Sequence, residues 1–60
     1  MTEAEKKVRE RCPDYRAAKF RKKFLIIDPY GEREGPSIEG EGVTEAAAWA
    51  DAAERLEQQR

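Results

Sequence analysis

The apolar positions of this chain change their spacing as the sequence advances. Ala4, Val8 and Cys12 recur every fourth residue, a narrow stripe along one side of a helix. Thr2 with Glu5 three residues later has the form of a capping box, and Pro13 ends the pattern. Glu3 and Glu5 precede Lys6, Lys7, Arg9 and Arg11, the order of charges that suits the helix dipole. The spacing predicts a short amphipathic helix over 2–12, too short to hold alone in water and therefore docked through Val8 and Cys12.

The period then becomes two. Tyr15, Ala17 and Lys19 alternate with Arg16, Ala18 and Phe20, which predicts a strand over 15–20. Phe24-Leu25-Ile26-Ile27 is aromatic and β-branched. It predicts a strand over 24–28, closed by the turn-forming Asp28-Pro29-Tyr30-Gly31. Arg21-Lys22-Lys23 between the two suits a solvated hairpin turn; one long bent strand through Lys23 is the alternative. Ser37-Ile38-Glu39 predicts a short third strand at a sheet edge, and Gly40-Glu41-Gly42 a flexible connection. A final helix is predicted over 45–58, with Thr44 as its cap and Glu45 in its first turn. Ala46, Trp49, Ala50, Ala53 and Leu56 form its expected apolar stripe, and Val43 is expected to pack back on Ala47 or Ala48. The fold class is therefore α+β: helix, a two- or three-stranded antiparallel sheet, helix. Both helices are expected on one face, with Trp49 at the centre of the core.

Composition bounds what such a chain can do. Its 60 residues make one small domain, and nine of the hydrophobic residues are only Ala. There is no His, so a Ser–His or Cys–His nucleophile pair cannot form within the chain. The single Cys12 excludes an intrachain disulfide and a zinc cluster. No stretch approaches the ~20 apolar residues of a membrane span, and the first residues do not read as a secretory signal. A cytoplasmic protein without enzyme activity, cofactor or metal is expected.

Charge adds a polarity. Residues 1–23 carry nine cations and four anions, whereas residues 24–60 carry three cations and nine anions, within a total of −1. Arg16, Lys19, Arg21, Lys22 and Lys23 are candidates for holding a phosphate backbone or a partner's acidic patch; the plainer reading is a solvated helix face and hairpin turn. Glu32, Glu34, Glu39 and Glu41 are spaced to imitate a run of phosphates or to dock on a basic partner. The plainer reading is an edge strand kept from aggregating by charge. Tyr30, a large aromatic in a turn, has no core duty by pattern and is a candidate anchor for a partner. Gly35, Pro36, Gly40 and the flanking glutamates oppose pairing of two third strands, which favours a monomer over a homodimer.

Two resemblances follow from the last third of the chain. Gly40-Glu41-Gly42, Thr44, Ala48, Ala52 and Ala53 match the spacing at the end of double-stranded-RNA-binding domains, which are built helix–three strands–helix. The phosphate-binding lysines of that family are replaced here by Glu45, Ala46 and Trp49. Pro13-Asp14, Gly42, Thr44, Ala48-Trp49 and Ala52-Ala53 also resemble small uncharacterised phage and prophage proteins. That resemblance implies a mobile genetic element in a host cytoplasm, where such proteins bind a host machine and block or adapt it, as anti-CRISPR proteins do. Stoichiometric binding of a protein or nucleoprotein is expected, and the acidic cluster and the turn aromatic make Tyr30, Glu32, Glu34, Glu39 and Glu41 the expected contact surface. The alternative is a small nucleic-acid-binding module using the basic half.

Overall fold

Thr2 stands just outside the first helix in extended conformation, φ −79° and ψ 161°, and its Oγ1 accepts the Glu5 backbone N–H at 3.1 Å. This cap opens α1 (Glu3–Arg11), which closes where the Cys12 N–H donates to the Val8 carbonyl at 2.7 Å, ahead of Pro13. The computed structural model describes residues 2–31 and 35–58. After α1 come β1 (Arg16–Phe20), β2 (Lys23–Asp28) and β3 (Ser37–Gly42), then α2 (Glu45–Gln58). The fold is α+β, and its three strands form one antiparallel sheet in the order β1-β2-β3.

β1 and β2 make a tight hairpin in which Phe20 faces Lys23 and Arg21-Lys22 alone form the loop. The turn is thus one residue shorter than the three-cation break read from the sequence. Lys23 belongs to β2, because a two-residue loop matches the twist of the strands that it joins. Between β2 and β3, Ile26 faces Gly40 while Ile27 faces Ile38, so Glu39 is the extra residue of a bulge.

β3 continues to Gly42, where a strand ending at Glu39 and a flexible connection are expected from the sequence. The glycines serve close approach instead. A Cβ on Gly40 would stand 2.7 Å from the Ala48 carbonyl oxygen, and one on Gly42 would stand 2.6 Å from the Ala48 nitrogen. Helix backbone rests on strand backbone here, and only glycine leaves room.

The same contact sets which face of α2 is buried. Ala48, Trp49 and Ala52 are buried, and Ala53 and Leu56 pack at the border of the core. Ala46 and Ala50, expected on the apolar stripe, are exposed. In an Ala-rich helix the pattern does not say which alanines face inward; the glycine-bearing strand selects the pair at 48 and 52. Val43 is 78% exposed and is no staple, since Gly42 already fills the space over Ala47 and Ala48.

Both helices lie on one side of the sheet. α2 rests chiefly on β3, less on β2 and barely on β1, while α1 packs on α2. Val8, Tyr15, Ile26, Ala48, Trp49 and Ala52 form the core, with Ala17 and Phe24 against it. Trp49, Ile26 and Val8 are wholly buried. The indole N–H of Trp49 donates to Glu45 Oε2 at 3.3 Å, and the Arg9 guanidinium lies 5.2 Å from the ring centroid. The sequence expectation of Trp49 at the centre is met.

Candidate functional site

Two-residue hairpin loops favour Asn, Asp or Gly, because the backbone needs a positive φ. This loop has Arg21 at φ 59° followed by Lys22. The Arg21 guanidinium lies 5.5 Å from the centroid of the Phe20 ring, itself 54% exposed. On the helix side of β1, the Lys19 ammonium lies 5.9 Å from the Phe24 ring. Lys23, on the other side, donates from Nζ to Glu41 Oε2 at 3.2 Å. Four of the five predicted basic residues therefore gather at one end of the sheet, all of them exposed. Arg16 stands apart at the far end of β1, about 13 Å away at ~3.3 Å per residue.

The acidic set is less coherent. Glu32 and Glu34 lie outside the described residues. Glu39, in the bulge, accepts the Ser37 hydroxyl at 2.8 Å, and Glu41 is engaged by Lys23. Tyr30 is 75% exposed, on a turn in which its backbone N–H donates to Asp28 Oδ1 at 3.0 Å. It stands at the opposite end of β2 from the hairpin loop. The positions that carry lysines in double-stranded-RNA-binding domains offer no phosphate site, since Glu45 and Ala46 are exposed and Trp49 is buried.

Two features lie beyond the sequence reading. Asp51 of α2 accepts the Glu41 backbone N–H at 3.0 Å and pairs with Arg55 at 3.1 Å. Nothing in a helix sequence signals that a carboxylate will reach a neighbouring strand. The second is the face of the sheet turned away from α2. Ala17, Ile26, Gly40 and Gly42 point to the helix side, so alternation turns Ala18, Phe20, Leu25 and Ile27 to the other, and the bulge adds Ile38. Phe20 and Ile38 are each 54% exposed there. The alternation of Tyr15 and Phe20 already carried that signal.

Tyr15 is buried beside Cys12, Asp28 and Glu39. Burial raises its phenol pKa, and the hydrogen bond to Cys12 and the nearby carboxylates push it the same way. Surface grooves are open and small, about 210 Å³ between α1 and α2 beside Val8 and Leu56, and about 240 Å³ beside Pro13, Tyr15 and Tyr30. Both fall below the ~300–1,000 Å³ typical of small-molecule sites, and a third open groove, about 310 Å³ beside Ala4, Lys7, Ala50 and Ala53, only reaches the lower end of that range. Among the described residues no three Cys, Asp or Glu side chains converge to hold a metal ion, and no helix is long and apolar enough to cross a membrane.

No family model matches this sequence, and neither a curated protein nor a solved structure matches it.

Proposed function

We propose that this chain is a non-catalytic binding protein that engages an acidic surface of a protein or nucleoprotein assembly, one to one, through the tip of its β1–β2 hairpin. The observation that carries the reading is Arg21 at φ 59°, with Lys22 beside it. A left-handed non-glycine residue costs roughly 1–2 kcal/mol, and backbone strain of this kind concentrates at functional sites. A loop that keeps two cations where Asn-Gly would be easier favours charge over turn chemistry. The resemblance to small phage and prophage proteins adds the setting, a host machine that is blocked or adapted. Tyr30 is a second contact candidate at the far end.

A photo-reactive residue at position 22 tests this, with the same probe at Glu57 on α2 as the control. A single partner adduct from position 22, abolished by Arg21→Glu, is expected. Equal capture from both positions overturns the reading.

Phe20 among these cations supports a second reading, a stacking platform for single-stranded nucleic acid. Labelled oligonucleotides at low salt distinguish it: binding must weaken steeply with salt, and must fall with Phe20→Ala. No binding at low salt removes it.

A further inference from the structure

We infer that the outer edge of β1 takes up an acidic, extended segment of the partner as a fourth strand of the sheet, which rests on the acidic partner proposed for the hairpin tip and names the part of it that docks. β1 is an edge strand, paired on one side only with β2. Phe20 and Lys23 close the two-residue loop and form a hydrogen-bonded pair, so alternation makes Ala18 and Arg16 bond inward as well. The N–H and C=O groups of Ala17 and Lys19 therefore point away from the sheet. The same alternation turns the Glu41 N–H outward on β3, and there Asp51 accepts it at 3.0 Å. The edge of β1 has no such cover. The Tyr15 N–H donates to the Cys12 carbonyl at 3.1 Å, and beyond it, among the described residues, no group bonds the outward backbone of Ala17 or Lys19.

Space and charge select the occupant. α2 barely reaches β1 and α1 does not reach it, so a strand laid beside β1 meets no helix. Ala17 and Ala18 present small side chains on the two faces, which leaves room for β-branched neighbours. Arg16 and Lys19 flank them, and neither makes an ion pair among the described residues. The Lys19 ammonium rests 5.9 Å from the Phe24 ring in an exposed contact. From Tyr15 through Lys23 the chain has no acidic residue. On an added antiparallel strand the residues opposite Arg16 and Lys19 stand about 4.5–5.5 Å away between Cβ atoms, where opposite charges attract and like charges repel. The segment this edge fits has an acidic residue at each of those two places and small or β-branched residues between them. Backbone hydrogen bonds supply the affinity, and the two carboxylates supply the choice of partner.

A second copy does not fit this edge. Two β1 strands side by side would set cations against cations, the usual device by which an edge refuses its own kind. β3 of another copy is acidic, but Glu39 lies in its bulge and Asp51 already holds the Glu41 N–H. Nucleic acid offers phosphates to the cations and no strand backbone to the outward groups of Ala17 and Lys19.

The probe is a short end-blocked peptide, Val-Glu-Val-Thr-Glu, which sets its two Glu opposite Lys19 and Arg16 when it runs antiparallel to β1. The control peptide has Lys in place of both Glu. Amide exchange of the whole chain, followed by nuclear magnetic resonance, is expected to slow at Ala17 and Lys19 with the acidic peptide and to stay unchanged with the control. A chain synthesised with the Lys19 backbone nitrogen methylated keeps every side chain and loses one outward donor. It should bind the peptide about tenfold more weakly or worse, through one lost hydrogen bond and a steric block. Its circular dichroism should not change, because that N–H has no partner within the fold. Arg16→Glu weakens binding with every backbone group in place, which covers the case of a misfolded methylated chain. Lys22→Glu, which disables the hairpin tip, leaves peptide uptake unchanged at physiological salt, where the loop charge is screened; failure of the tip reading and failure of this one are thus distinguishable. Ala17 and Lys19 amides that exchange as fast with the acidic peptide as without it overturn the inference. So does equal binding of the lysine peptide, undiminished binding by both the methylated and the Arg16→Glu chains, or protection of the same amides by a single-stranded oligonucleotide in place of the peptide.

Discussion

A Cβ placed on Gly40 would lie 2.8 Å from the backbone nitrogen of Ala52. Strand and helix meet here backbone to backbone, and no rotamer relieves the clash. Gly40→Ala is expected to cost about 1–3 kcal/mol, the usual range for overpacking. Trimming Ala52 to Gly should not rescue it, because the obstructing atoms include the backbone of Ala48 and Ala52. Urea denaturation of the single and double variants checks this. A Gly40→Ala protein as stable as the parent would mean that α2 moves away freely.

Trp49 belongs to the core cluster that joins α1, the sheet and α2, and it has no exposed surface. Trp49→Ala should cost ~3–5 kcal/mol, close to the whole stability of a domain this small. Loss of the folded far-ultraviolet circular dichroism is expected. Tyr30→Ala, at an exposed turn, should leave it unchanged. Wild-type tryptophan emission should be blue-shifted, and a maximum typical of indole in water would contradict the buried position.

Arg21→Gly separates stability from binding. Relief of the left-handed strain should raise stability by about 0.5–1 kcal/mol, while the hairpin tip loses a cation and its partner complex weakens. A stabilised variant with undiminished binding would uncouple the strain from the function.

Asp51→Ala should cost roughly 1 kcal/mol, the scale of a typical hydrogen bond, since this one is exposed to water. It also frees the outer N–H of Glu41. Aggregation above the parent level, followed by light scattering at high concentration, is the distinguishing result.

The phenol of Tyr15 has its pKa raised above the ordinary value of about 10. The folded state therefore holds this proton more tightly than the unfolded chain. The stabilisation is fully present below pH 10 and is lost as pH climbs beyond it. Denaturation between pH 8 and pH 11 should show stability falling at the alkaline end, and Tyr15→Phe should make that fall shallower.

The element order was legible because each segment has its own period: fourfold for Ala4, Val8 and Cys12, twofold for Tyr15 to Phe20. Glycine misled the reading at β3. Gly40 and Gly42 look like flexible linker in one dimension and become close-contact residues only when α2 lies against them. The inward alanines of α2 were hidden for the same reason, since one Ala differs from the next only through its neighbour in space. The hairpin cations were visible as a cluster. The positive φ of Arg21 was not, because nothing in Arg-Lys announces it. The acidic set looked coherent along the chain, but Glu39 and Glu41 each have a partner within it.

α2 does not lie centrally on the sheet; it covers β3 and β2 and barely reaches β1. The sheet is therefore fastened from one side. β1 is held by its ladder to β2, by Tyr15 in the core just ahead of it and by Ala17 packed against the core. Protection of backbone amides against exchange with solvent should then be graded: deepest in β2, between two neighbours and under the helix, and shallowest in β1. Past Ala17 the strand that leads into the cationic loop is held chiefly by its ladder to β2, so the hairpin tip can adjust to a partner while β2, β3 and the helices stay folded.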